Sequence, residues 1–192
     1  MAFSDFKRIS EVQEKFDITY AEEDFVKVHD AEPSEQFLQE FEWTRQNLNV
    51  FVSESSRCEA IIFPVLKENY KAYADNYELW IGISIDYNAT LLCGMEVREG
   101  QALALRTHQE KGNYLISTRS RLGKTVVGKP LIILVEAKRN DFDRGWGQCL
   151  AELVAAQKMN NDAAFPVYGI VTDGNSEGSS VTHLPKTAQI LC

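Results

Sequence analysis

The stretch KPLIILVEAKRNDFDRGWGQCLAELVAAQKMN (129–160), followed at 166–172 by PVYGIVT, decides the fold. Leu131 to Ala137 is a near-continuous apolar run of strand length, the mark of a central strand covered on both faces. Asp141 or Asp143 then caps a helix holding Trp146, Leu150, Leu153 and Val154, which ends near Asn160. Its small residues Ala151, Ala155 and Ala156 allow close approach to a sheet. PVYGIVT reads as a second buried strand, and a strand that follows a crossover helix is expected to run parallel to the first.

Working outward, Asn113 to Thr118 reads as another strand. From Glu78 a period-two pattern sets Ile81, Ile83 and Ile85 on one face. A turn at 86–89 and a second arm at 90–93 complete a hairpin pattern. The segment 95–112 fits either a strand extension at Ala102 to Arg106 or a long loop. The first third is helical: Ser10 caps a short helix through Phe16, and Ser34 caps a second with Phe37, Leu38, Phe41 and Leu48 at helical spacing. A third helix begins near Ser55 or Ser56, carries Glu59 and runs through Ile61, Ile62, Val65, Leu66, Tyr70 and Tyr73. Pro64 kinks it or marks its first turns. The tail from 176 is polar and lacks aromatics. One domain is expected, with a helical extension at 1–50, a core at 51–174 and an irregular tail at 175–192.

At 44% apolar and 25% charged residues the composition is that of an ordinary globular chain. No apolar run approaches the roughly 20 residues of a membrane span, and the first residues lack a signal-peptide core, so a cytoplasmic location and no membrane partner are expected. Cys58, Cys93, Cys149 and Cys192 have no CxxC pairing and read as small buried thiols. The formal net charge of −8 is uneven: 98–129 holds seven basic and two acidic side chains, a basic island suited either to phosphates or to a solvated loop. His29, His108 and His183 lack the spacing of a metal site or triad, and Gly123-Lys124-Thr125 lacks the upstream glycine of a phosphate-binding loop. Core anchoring is the reading for at least two of Trp43, Trp80 and Trp146.

Glu136 and Lys138 are the charged exception at the end of an apolar strand. Alternation puts both on one face, at the C-terminal edge where open α/β sheets place their sites. There a carboxylate can hold a divalent cation and an ammonium can orient a water or offset charge on a phosphate. Taken alone, E-x-K at this spacing also fits a surface ion pair.

The combination of this E-x-K with GWGQ at the start of the next helix and RCEAIIFPVLKENY (57–70) resembles the PD-(D/E)XK nuclease superfamily, in particular small prokaryotic proteins of the restriction-endonuclease-like fold. The resemblance covers roughly 55–93 and 113–175. It implies an α/β fold with a central mixed sheet flanked by helices, an αβββαβ core, here with extra N-terminal helices. It also implies Glu136, Lys138 and Gln148 as catalytic residues, and Glu59, from the helix before the first strand, as a metal ligand beside Glu136. The implied chemistry is Mg²⁺- or Mn²⁺-dependent hydrolysis of nucleic-acid phosphodiesters, DNA ahead of RNA, and many enzymes of this fold act as homodimers.

Members of that superfamily carry an aspartate on the strand before E-x-K as principal metal ligand. GNYLIST (112–118) places Asn113 there, a neutral amide in place of a carboxylate; Glu96 is the alternative ligand if 95–112 is an insertion. Arg119, Arg121 and Lys124 are expected to contact the phosphate backbone. The rival expectation is a catalytically inactive domain that keeps the fold to bind nucleic acid or a protein partner.

Overall fold

The structure, a computed structural model, describes residues 5–21, 31–83, 87–88, 104–105, 113–138, 141–162, 164–175 and 179–184. Its elements are α1 (Ile9–Phe16), α2 (Glu35–Asn47), α3 (Glu54–Arg57), a π-turn (Cys58–Ile62) leading into α4 (Phe63–Lys71), then β1 (Tyr77–Ile81), β2 (Tyr87–Asn88), β3 (Ala104–Leu105), β4 (Asn113–Thr118), β5 (Leu131–Ala137), α5 (Phe142–Asn160), β6 (Val167–Thr172) and β7 (Ser179–Leu184). The chain is mixed α/β.

Five strands form one sheet in the order β1-β4-β5-β6-β7, and β2 pairs with β3 separately. β5 and β6 are parallel, Ile133 opposite Tyr168 and Ala137 opposite Thr172, as the crossover through α5 requires. The other pairings are antiparallel. Alternation along β5 divides the core between two layers. Leu134 joins Cys149, Leu153, Val154, Val12 and Phe16 under α5 and α1. Val135 and Ala137 join Cys58, Ile62 and Tyr114 under the π-turn and α4. Close seating of α5 depends on Gly169 of β6, where a Cβ would fall 2.7 Å from Cys149 Sγ and 2.9 Å from Leu153 Cδ1.

Several local expectations are corrected. Ser10 lies inside α1, whose N-cap is Arg8, without a side-chain cap. Ser34 caps α2 by accepting from Phe37 N–H. Ser53, ahead of the serines expected, caps α3 by accepting from Ser56 N–H at 3.0 Å. Pro64 stands in the first turn of α4. Its missing N–H falls where the helix widens, with Phe63 N–H reaching back five residues to Cys58 O. β1 pairs with β4 (Leu79 opposite Ile116); the hairpin arm expected at 90–93 lies outside the described residues. Ala104–Leu105, within the ambiguous stretch, is a strand. Residues 179–184, expected to be irregular, form β7 along β6, Val167 opposite Leu184. An edge strand is held by main-chain hydrogen bonds to one neighbour, so it does not need the apolar run of β5.

Candidate functional site

Lys138 follows β5 immediately, and its N–H donates to Thr172 O at 2.9 Å, carrying the parallel ladder one residue past the strand. Its Nζ lies 2.8 Å from Glu136 Oε1, with the two side chains 9% and 1% exposed. A surface ion pair is therefore the wrong description. With both side chains so buried, removal of either would leave a buried charge without its ion-pair partner.

The first turn of α5 closes over them. Asp141, one of the two expected caps, accepts from Arg144 N–H at 3.1 Å and starts the helix beside the edge. Gly145 follows: a Cβ there would stand 2.9 Å from both Lys138 Cγ and Val171 Cγ1, so glycine alone lets the helix come this close. One turn on, Gln148 is 1% exposed, and its Oε1 has no hydrogen-bond partner among the described residues. An unsatisfied buried acceptor costs about 1–3 kcal/mol. Across the antiparallel ladder from Glu136 stands Asn113, on the same rung.

Glu59 arrives from the other layer. It lies on the π-turn, is exposed, and accepts from Ser55 Oγ at 3.2 Å. Glu59 and Glu136 bear on one group between the layers, the Cys58 thiol. Burial first, then Glu54, push the Cys58 thiol up to about 11, with smaller contributions from Glu136 and Glu59 in the same sense. Tyr114 O–H donates to Cys58 O at 3.1 Å and ties the π-turn to β4.

Among the described residues no three His, Cys, Asp or Glu side chains converge to hold a metal ion. As a ligand set for Mg²⁺ or Mn²⁺ these residues are short of one acid: Asn113, on the rung opposite Glu136, is neutral. Glu96 lies outside the described residues.

Arg119, Arg121 and Lys124 are exposed in the turn after β4. Thr118 N–H donates to Pro130 O, which fixes this turn at the start of β5. Glu136 lies near the far end of that seven-residue strand, which at about 3.3 Å per residue puts roughly 20 Å between the basic turn and the pair. The structure therefore keeps the basic residues away from the charged edge.

Sequence reasoning missed a second charged pair at the same edge. Arg57 Nη1 lies 3.5 Å from Asp173 Oδ2 and donates to Asp173 O at 3.2 Å, while its guanidinium sits over the Phe51 ring at 5.3 Å. Asp173 directly follows β6, so the pair locks α3 to the strand end beside Lys138. The one signal for it in the sequence was an acid placed just past a buried strand. Compared with protein-family models, curated proteins and solved structures, the chain shows no match in any of the three.

Proposed function

We propose that the chain is a nuclease-like domain of the restriction-endonuclease type whose acid set is incomplete, so that it binds nucleic acid, DNA ahead of RNA, and cleaves it weakly or not at all. The observation that carries this reading is the rung joining Asn113 to Glu136. Residues directly opposite in an antiparallel pair share a face, with Cβ atoms about 5 Å apart. A carboxylate at position 113 would stand beside Glu136 and complete the charge a divalent cation needs; asparagine brings none. The order of α3–α4, β1, β4, β5, α5 and β6 supports the same reading, because it is the order the resemblance implies.

A bound Mg²⁺ or Mn²⁺ would supply phosphate polarisation and water activation. The chain's own residues hold Lys138 beside Glu136, closed over by the start of α5, and leave Gln148 with an acceptor to offer. The test is cleavage of plasmid and single-stranded DNA with Mg²⁺ or Mn²⁺. The expected result is no cleavage by the native chain, cleavage by Asn113→Asp, and its loss when Lys138→Ala is added. Cleavage by the native chain that Glu136→Gln abolishes would assign an intact metal-dependent nuclease instead. No gain from Asn113→Asp, in a protein shown to be folded, would overturn the proposal.

A further inference from the structure

Arg57 is buried at the end of α3, and its guanidinium is fixed from two sides. Nη1 donates to Asp173 O at 3.2 Å and lies 3.5 Å from Asp173 Oδ2, while the guanidinium carbon stands 5.3 Å from the centre of the Phe51 ring. A planar group with several donors suits a carbonyl, a carboxylate and a ring face together; the ammonium of a lysine offers no such fork and no flat face. Val50, 3% exposed, anchors the chain just before that ring.

Asp173 is the first residue past β6, and Thr172, the last residue of the strand, is the one whose carbonyl accepts from Lys138 N–H at 2.9 Å. The turn that follows is built against the same helical segment. Gly174, at φ +80°, donates its N–H to Thr172 Oγ1 at 3.1 Å. A Cβ on it would stand 3.4 Å from Ile61 Cγ2 and 3.5 Å from Ile62 Cγ1, both in the π-turn that Arg57 leads into. The acceptor of Lys138 N–H therefore belongs to a turn held by Arg57 and the π-turn. The same segment reaches β4, where Tyr114 O–H, next in sequence to Asn113, donates to Cys58 O at 3.1 Å.

We infer that Arg57 is a positioning residue: through Asp173 it fixes the Thr172 carbonyl that places Lys138, and with it the ammonium beside Glu136. The inference rests on the nuclease reading for what Lys138 does, but not for how Lys138 is held. An amide at a strand end exchanges through local opening, whereas one in the middle of a central strand exchanges only with wider unfolding. Loss of a positioning contact therefore acts on Lys138 ahead of the rest of β5.

Amide hydrogen exchange and the nitrogen resonance of Lys138 Nζ, followed by NMR on the full chain without metal, test this in Arg57→Met, Arg57→Lys and Asp173→Asn. Arg57→Met is expected to speed exchange at Lys138 N–H by about tenfold relative to Leu134 N–H, and to shift the Nζ resonance. Arg57→Lys, which keeps the charge, and Asp173→Asn, which keeps the main-chain acceptor, should each fall between Arg57→Met and the native chain. Where Arg57→Met does not fold, these two milder forms decide by the same comparison of Lys138 with Leu134. Equal acceleration at both amides would mark a contact that only stabilises the fold, and would overturn the inference. So would an unmoved Nζ resonance, or Arg57→Lys no better than Arg57→Met. In an Asn113→Asp chain that cleaves DNA, added Arg57→Met is expected to lower kcat about tenfold and leave KM unchanged, and an unchanged kcat would overturn the inference. An inert Asn113→Asp defeats the nuclease reading instead, and the exchange comparison then decides this one alone.

Discussion

Lys138 Nζ stands 2.8 Å from Glu136 Oε1, beneath the surface at the point where β5 leaves the sheet. Breaking one half of such a pair leaves an uncompensated buried charge, at a cost of about 3–5 kcal/mol. Lys138→Met and Glu136→Gln are each expected to lower stability by that order in urea denaturation. The double variant is expected to lie well above the sum of the two, since it buries no charge. Strict additivity would show that the two side chains do not depend on each other.

Gly145 sets how closely α5 approaches that pair. Gly145→Ala should destabilise the fold by about 1–3 kcal/mol through crowding against Lys138 and Val171, even though alanine is the better helix former by about 1 kcal/mol. Denaturation midpoints of Gly145→Ala with and without Val171→Ala check the cause. Relief in the double variant is expected, and a stabilised single variant would mean that α5 sits further from the sheet.

The thiols Cys58 and Cys149 are both pushed up, chiefly by burial, Cys58 to about 11 from 9.0. The folded state therefore holds the Cys58 proton more tightly than the unfolded state. That part of the stability is present in full below pH 9 and is lost as pH rises from 9 through about 11. The urea midpoint of the native chain is expected to fall between pH 8 and pH 10.5, and that of Cys58→Ala to fall less. A disulfide reagent at pH 8 should leave both thiols unmodified until the protein unfolds; labelling of Cys58 at the rate of a free thiol would contradict the buried site.

Asn160 acts as an extra rung for β5. Its Oδ1 accepts from Leu131 N–H at 2.7 Å and its Nδ2 donates to Leu131 O at 2.8 Å, joining the end of α5 to the start of the strand. Asn160→Ala strands both main-chain groups and is expected to cost about 1–3 kcal/mol. Asn160→Asp keeps the acceptor and loses the donor, so it should fall between the two. Thermal melts at fixed pH would show the order, and an alanine variant as stable as the native chain would remove the rung from the account.

The unit β5-α5-β6 was legible because continuous apolar runs and a 3.6-residue period are strong local signals. The tail strand β7 was not, because SSVTHL carries no apolar run and its main-chain pairing with β6 leaves no mark in the sequence. The pairing of β1 with β4 was not legible for a related reason: alternation predicts a strand but does not say which strand it meets, and β4 is distant in sequence. Glu136 and Lys138 were found as a pair, but their burial depends on Gly145, whose place over Lys138 no spacing rule reveals. Arg57 and Asp173, 116 residues apart, meet because the end of α3 comes to the C-terminal end of β6.

Position 113, on the rung opposite Glu136, lacks the acid that a divalent cation would need there. Titration of Mn²⁺ into the native chain and Asn113→Asp, read as the thermal midpoint, tests this without reference to cleavage. The midpoint of Asn113→Asp is predicted to rise with Mn²⁺, by the equivalent of about 2.7 kcal/mol at a hundred times the dissociation constant. The native chain should stay unmoved, and adding Glu136→Gln should abolish the rise. Equal responses from the native chain and Asn113→Asp, or a rise that survives Glu136→Gln, would contradict it.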